Sequence, residues 1–315
     1  MSSNKPVVMM VDPFLERFSP LFNDSYELVK LWEAPSEDAF FATEGQRVGA
    51  VVTIGHFPAR APVLSRLPNL GLVACFSTGF EGVDVDWCRE NGVAVTNGAA
   101  ANGGDVADQA AMLLLNCYRR ATQGGRVVRD GSWQAVPGLA GRSLRGKKVG
   151  IVGMGRIGRM TAQRIAAFET EIHWYGPNPK PDIAYPRAES VVELARICDA
   201  LVVVAPATPE TEKMINREVL DALGPQGVVV NISRGSLVDE DALIAALKEG
   251  RLWGAGLDVF EVEPTDPARW ADVPNAELMP HSAGSTPEGG KLMSDRFLEN
   301  LRCFFAGEPL VSPLF

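Results

Sequence analysis

The chain has no apolar run near the roughly 20 residues that cross a bilayer. It also lacks a cysteine framework: five cysteines, at 75, 88, 117, 198 and 303, are scattered without a C-x-x-C pair. Their odd number and wide spacing fit a reducing compartment, so a cytoplasmic protein is expected. Residues 1–13, M-S-S-N-K-P-V-V-M-M-V-D-P, hold too short an apolar stretch for a secretory signal. Positive charge is in deficit, with 30 Lys and Arg against 39 Asp and Glu and a net charge of −9. An acidic chain is not drawn to phosphate backbones or anionic bilayers, so neither nucleic acid nor membrane is an expected partner. Histidine is scarce, at 56, 173 and 281, and no metal site is expected.

What is present is the make-up of a globular protein, 46% apolar and 22% charged, with a length that suggests two domains. The chain is organised around 149–158. The apolar run V-G-I-V leads into Gly153-x-Gly155-x-x-Gly158, and 159–168 continues with apolar residues at helical spacing. The glycines thus sit at a strand-to-helix turn, the context that the dinucleotide fingerprint requires. Gly153 makes the turn, Gly155 admits a pyrophosphate close to the backbone, and Gly158 lets helix and strand pack. Met154, Arg156 and Ile157 complete the loop, whose N–H groups open a helix and face a phosphate. The competing reading is a Gly-rich turn of an ordinary βα unit.

Before this motif, short β-rich runs at 7–11, 28–32, 50–53, 72–76 and 94–96 alternate with helical patterns at 36–41, 61–67 and 85–91. That alternation predicts parallel strands with helices on both faces, without a phosphate-binding glycine pattern. The segment 97–104, N-G-A-A-A-N-G-G, reads as a hinge or domain crossing. Asp105 then caps a long apolar helix to about residue 126, buried either in one subunit's core or in a subunit interface. Strands follow at 171–175, 200–204, 227–231, 253–257 and 276–279, with helices at 190–198, 217–223 and 239–249. A last helix runs from 285 to about 305. The expected architecture is α/β, two Rossmann-like doubly wound parallel-sheet domains with a cleft between them. Their expected bounds are 1–98 plus 285–315 for a substrate-binding domain and 99–284 for a dinucleotide-binding domain.

Ligands of open α/β sheets sit beyond the carboxyl ends of strands. Three polar residues fall there: Arg234 in N-I-S-R-G-S, Glu263 after L-D-V-F-E-V, and His281 after L-M-P. Arginine forks onto a carboxylate and neighbouring carbonyl. Histidine gives or takes a proton as hydride moves. A carboxylate on the other imidazole nitrogen fixes the tautomer and favours the charged form. Singly, each has a plain reading: a surface ion pair, a solvated loop carboxylate, a capping histidine. Their shared placement favours catalysis. His173 lies on a strand, and His56 sits in a loop as a minor substrate-contact candidate.

The ordered segments G-M-G-R-I-G-R (153–159), V-V-N-I-S-R-G-S-L-V-D-E (229–240), G-L-D-V-F-E-V-E-P (256–264) and M-P-H-S-A-G-S-T (279–286) resemble the D-isomer-specific 2-hydroxyacid dehydrogenases. With F-S-T-G-F-E-G-V-D at 76–84, the resemblance covers most of the chain. K-P-D-I-A-Y at 180–185 and D-V-A-D at 105–108 lean toward the glyoxylate/hydroxypyruvate reductase branch. The resemblance implies that Arg234 binds the substrate carboxylate and carbonyl, that His281 is the general acid/base, and that Glu263 pairs with it. It implies that Asp258 contacts the nicotinamide amide. Backbone N–H groups of Thr78 and Gly79 would hold the carboxylate, and Thr53, Ile54 and Gly55 would line the pocket. A homodimer is implied as well.

Two departures stand out. Gly176, 23 residues after Gly153, occupies the place where an acid bonds the ribose 2′-OH and repels a 2′-phosphate. Its absence favours NADP(H) over NAD(H), with Asn178, Lys180 and Arg156 near the phosphate, although Pro177 stands where NADPH-using relatives often carry Arg. Asp108 replaces the usual Glu. The expected function is reduction of glyoxylate and hydroxypyruvate to D-2-hydroxy acids. The alternatives are an NAD-dependent dehydrogenase of a bulkier acid, with Phe57, Phe80 and Trp133 as lining candidates, and a non-catalytic dinucleotide-sensing, corepressor-like protein. Another oxidisable anion such as formate or phosphite is a further alternative, but formate-type members carry Gln in place of Glu263, which argues against the formate variant.

Overall fold

The computed structural model describes residues 5–22, 25–55, 57–98, 101–133 and 139–315. His56 therefore lies outside the described residues. The chain divides into two compact units, Met1–Asn102 with Thr286–Phe315, and Gly103–Ser285.

In the first unit, β1 (Val7–Met10), β2 (Glu27–Lys30), β3 (Val48–Thr53), β4 (Leu72–Cys75) and β5 (Ala94–Thr96) form a sheet in the order β2-β1-β3-β4-β5. Every pairing is parallel. Helices α1 (Glu37–Ala42), α2 (Ala61–Leu64) and α3 (Val85–Glu90) join them. β1 is buried at all four positions, as both faces of a parallel sheet are covered. Between β1 and β2 runs a 3-10 segment, Pro13–Phe22, that the sequence patterns did not reveal. It buries Leu15 and Phe22 against the sheet. The expected strand at 28–32 stops at Lys30, and Leu31–Glu33 is 3-10. The C-terminal helix, Pro287–Ala306, belongs to this unit and buries Phe297 and Leu301 beside Val8, Met10, Ala50 and Leu72. Its Thr286 caps it by accepting from Gly289 N at 2.8 Å.

The second unit opens with α4 (Gly103–Arg119) and α5 (Ala121–Arg129). It continues through β6 (Lys148–Val152), α6 (Arg156–Ala166), β7 (Glu171–Tyr175), α7 (Val191–Ile197), β8 (Ala200–Val203) and α8 (Arg217–Leu223). It ends with β9 (Val228–Asn231), α9 (Glu240–Lys248), β10 (Gly254–Leu257), α10 (Pro267–Trp270) and β11 (Ala276–Leu278). The parallel sheet has the order β11-β10-β9-β8-β6-β7. A one-bridge strand, with Arg187 opposite Trp174, lies outside β7. The strand order therefore reverses between β6 and β8, and the crevice at that switch point is where such sheets take ligands.

The single helix expected from 105 to 126 is two. Arg120 adopts φ 52°, a left-handed step that ends α4 and starts α5. That step costs roughly 1–2 kcal/mol for a residue with a Cβ. It brings the Arg120 guanidinium 4.5 Å from the Trp253 ring centroid, while Arg142 stacks on the same ring at 3.6 Å. Each cation–π contact is worth about 0.5–2 kcal/mol, enough to offset the turn. α4 is a core helix of its own unit: Ala110, Leu113, Leu114, Cys117 and Tyr118 pack with Val149, Ile151, Val202 and Val230.

Candidate active site

The turn after β6 is built as a phosphate cradle would be. Gly153 takes φ 100° and donates its N–H to Tyr175 O at 2.8 Å, tying the turn to the end of β7. A Cβ on Gly158 would lie 2.0 Å from Gly153 O, so only glycine lets α6 start there. A Cβ on Gly155 would meet nothing within 4 Å, leaving open space beside the first N–H groups of α6. Arg156 is exposed at the first turn. Ile157 packs partly into the core, and Met154 is 2% exposed. Met154 thus offers a ligand only its backbone. Asn178 is exposed and Lys180 half-buried in the loop after β7, and Gly176 leaves that loop without an acid at its first position.

Arg234, Glu263 and His281 all follow strand ends of this same sheet. Asn231 closes β9 and holds the next turn, its Nδ2 donating to Arg234 O at 2.9 Å and its Oδ1 accepting from Ser233 N at 3.0 Å. Arg234 Nη1 donates to Ser233 O at 2.7 Å. Beyond β10, Asp258 is fully buried and accepts from Ser282 N and Ala283 N, both at 2.9 Å. Its carbonyl accepts His281 N at 2.8 Å. Asp258 thereby fixes the segment in which His281 takes φ 52°. Both Asp258 carboxylate oxygens are thus engaged with the chain's own backbone.

His281 Nδ1 lies 2.6 Å from Glu263 Oε2, and Glu263 Oε1 accepts from Phe260 N at 3.0 Å. The His281 side chain is 49% exposed, with Nε2 left for another partner. A carboxylate held by its own backbone and turned onto one ring nitrogen orients the other. Sequence reasoning missed Glu240, whose side chain is 4% exposed. It accepts Glu261 N and lies 3.4 Å from Arg269 Nη2, bracing the loop that carries Glu263. Asp108, the shortened acid of α4, pairs with Arg164 of α6.

In the first unit, the loops after β3 and β4 meet. Gly55 admits no side chain: a Cβ there would lie 1.9 Å from Gly79 O. Ser77, also missed from sequence, accepts Gly55 N at 2.6 Å and donates to Gly79 O at 2.9 Å. Thr78 O accepts from Asn97 Nδ2 at 2.6 Å. Thr53 is buried, its hydroxyl within reach of Ile54 O and Phe57 O at 2.9 and 3.1 Å. It faces inward, and its carbonyl accepts Phe76 N at 2.8 Å. Ile54 packs partly against the core. Phe57 meets Phe14 edge-on at 5.6 Å, Phe80 is 39% exposed, and Trp133, in the second unit, is 72% exposed. Among the described residues no helix is long and apolar enough to cross a membrane, and no cluster of His, Cys, Asp and Glu could hold a metal.

Residues 111–283 match the family model for the D-isomer specific 2-hydroxyacid dehydrogenase NAD binding domain. A hydroxyphenylpyruvate reductase of Plectranthus scutellarioides is 42% identical over 307 residues, which are 98% of either chain. A 2-hydroxyacid dehydrogenase of Ketogulonicigenium vulgare Y25 superposes with a TM-score of 0.91 at 37% identity, over 99% of this chain and 98% of that one. An NADPH-dependent glyoxylate/hydroxypyruvate reductase of Sinorhizobium meliloti, solved with NADP and malonate, does so with a TM-score of 0.86 at 34% identity, over 98% and 97%. With likeness of this extent across both sheets, the chain belongs to the D-isomer-specific 2-hydroxyacid dehydrogenases.

Proposed function

We propose that the chain is an NADP(H)-preferring reductase of small 2-oxo acids, glyoxylate and hydroxypyruvate first among them, and forms D-2-hydroxy acids. The observation that carries this is the His281–Glu263 pair at 2.6 Å, set after the strands of the sheet that also bears the glycine turn. The nicotinamide nucleotide, when bound, supplies or takes the hydride. The residues present fit such a group: open space at Gly155, N–H groups opening α6, and no acid at Gly176. The S. meliloti relative that is NADPH-dependent supports the cofactor preference, and NAD(H) is the lesser partner in this proposal.

The chain's own residues divide the work. Arg234 forks onto the carboxylate and carbonyl oxygen of the 2-oxo acid. His281 Nε2 gives its proton to the carbonyl oxygen in reduction and takes it back in oxidation. Glu263 holds His281 Nδ1 and so keeps the ring oriented. Asp258 positions the His281 segment and, as a cofactor contact, serves the nicotinamide amide through its remaining lone pairs. On the first unit, the N–H groups of Thr78 and Gly79 serve the carboxylate, and the backbone of Thr53, Ile54 and Gly55 lines the pocket. The first unit is the substrate domain and the second the dinucleotide domain.

Initial rates of reduced-nicotinamide loss test the proposal, with NADPH and NADH each against glyoxylate, hydroxypyruvate, pyruvate and phenylpyruvate. Fast turnover with NADPH and the two small polar acids is expected. No turnover with any pair despite nucleotide binding would overturn it in favour of a sensing role. A second reading, reduction of an aryl 2-oxo acid, is favoured by the 42%-identical hydroxyphenylpyruvate reductase and by the rings of Phe14, beyond β1, and Phe57, beyond β3. Phenylpyruvate as the best substrate would select it.

The protein is further proposed to be a cytoplasmic homodimer. Five free buried cysteines suit a reducing compartment, and Met112, Val128 and Trp133 leave apolar surface on the second unit for a partner copy. Sedimentation showing a lone monomer at micromolar concentration would remove the dimer.

A further inference from the structure

Arg187 lies on the one-bridge strand outside β7, pinned by Trp174 N donating to Pro186 O at 3.0 Å and Ala188 N to Trp174 O at 2.9 Å. Its side chain runs to the carboxyl end of β7. There Nε and Nη2 donate to Gly176 O at 3.2 and 2.8 Å, and Nη2 also reaches Pro177 O at 3.3 Å. The guanidinium carbon stands 5.8 Å from the Trp174 ring centroid. The group is therefore held by two carbonyls and an aromatic face, none of which cancels its charge. Among the described residues no carboxylate pairs with it and none of its hydrogen bonds uses Nη1. The neighbouring Arg159, by contrast, is neutralised by Asp182 at 2.8 Å.

The site of this charge is what gives it meaning. Gly153 N bonds Tyr175 O, so the glycine turn and the start of the 176–180 loop are stitched together. A dinucleotide laid on that turn runs its adenosine ribose past the end of β7. An acid at 176 would bond the 2′-OH there; glycine stands instead, and its carbonyl carries an arginine.

We infer that Arg187 is the specificity residue for the ribose 2′-phosphate of NADP(H), offering Nη1 as a preset anion donor although it lies 10 residues beyond Pro177 in the chain. Because its fork is already held, little rotamer freedom is lost when the phosphate arrives. The inference rests on the NADP(H) reading above. Lys180, in the same loop, adds charge without a fixed direction.

The test is equilibrium binding, read from nicotinamide fluorescence of the unreacted protein with NADPH and with NADH. Arg187→Gln is expected to weaken NADPH roughly 10–100-fold, the scale of one lost charge-assisted contact, and to leave NADH nearly unchanged. Arg187→Lys keeps the charge without the carbonyl fork and should fall between. Equal weakening of both nucleotides would show that Arg187 merely props the loop and would overturn the inference. So would an unchanged NADPH-to-NADH ratio in a wild type that prefers NADPH. A wild type binding both nucleotides alike is a different failure: it removes the NADP(H) reading and the role of Arg187 with it.

Discussion

The two sheets of this chain begin alike and end their first strands differently. β1 and β6 are both buried central strands with parallel neighbours on each side. After β6, three glycines lead straight into a helix with open space at its start. After β1 come Asp12 and Pro13. Asp12 Oδ1 accepts Phe14 N at 2.8 Å, and the chain coils as a 3-10 segment with Pro20 inside. Rings occupy that end of the first sheet: Phe18 stacks on Phe76 at 4.3 Å and Phe14 meets Phe57 at 5.6 Å. The residues beyond the first strand leave open space at Gly155 in the second sheet, and in the first they join rings from the loops after β3 and β4.

The sharpest way to break that contrast is to compare single side chains of the two units. In the second, His281→Ala is expected to lower kcat about 10²–10⁴-fold while nucleotide affinity holds, as read by stopped-flow rates and fluorescence titration. In the first, Ser77→Ala removes one hydroxyl bridging Gly55 N and Gly79 O. A lost hydrogen bond of about 0.5–1.5 kcal/mol should raise KM for the 2-oxo acid up to roughly tenfold and change kcat little. If the two variants lose kcat equally, the proposed division between chemistry and substrate holding is wrong.

A smaller contrast separates space from strain. Gly155→Ala places its Cβ in open space, so the ligand-free melting temperature should stay put while NADPH binding weakens. Gly55→Ala drives a Cβ to 1.9 Å from Gly79 O, so the reverse is expected: a loss of about 1–3 kcal/mol in stability with nucleotide binding kept. Normal NADPH binding by Gly155→Ala would mean that the open space is not where phosphates lie.

The same contrast explains what could be read in advance. Strands such as 200–204 were legible because continuous apolar runs leave few other options for a buried parallel sheet. The glycine turn was legible because sterics demand the residue at Gly153 and Gly158, while Gly155 completes the spacing with open space. The placement of Arg234, Glu263 and His281, each just past a strand, was legible from the strand pattern. What escaped depends on partners distant in the chain. The break at Arg120 has no Pro or Gly to mark it, since the stabilising ring is Trp253. Glu240 looks like an ordinary acid at a helix start, yet its partner is the N–H of Glu261. Arg187 carries no motif, and its meaning comes from the carbonyl of Gly176. The Pro13–Phe22 coil follows neither helical nor strand period.

The smallest expected effect asks whether the two units are equally closed. Cys75, Cys88 and Cys303 lie in the first, Cys117 and Cys198 in the second, and all five are free and buried. Burial pushes Cys75 and Cys198 up to about 12 and Cys88 up to about 11, from an ordinary 9.0. Cys117 is also raised by burial. At pH 8 the thiolate fraction is therefore minute, and a disulfide reagent should find no thiol in native protein and five after denaturation. The sign of the linkage follows: a raised pKa means the folded state keeps protons that the unfolded chain gives up. This contribution is complete below pH 9 and fades as pH rises toward about 11 to 12. Slow labelling under mild denaturant then reports opening by unit. Three thiols first would mark the first unit as the looser one, two would mark the second, and a single step to five would show that the units open together. Steps by unit are expected, because each unit buries a core of its own.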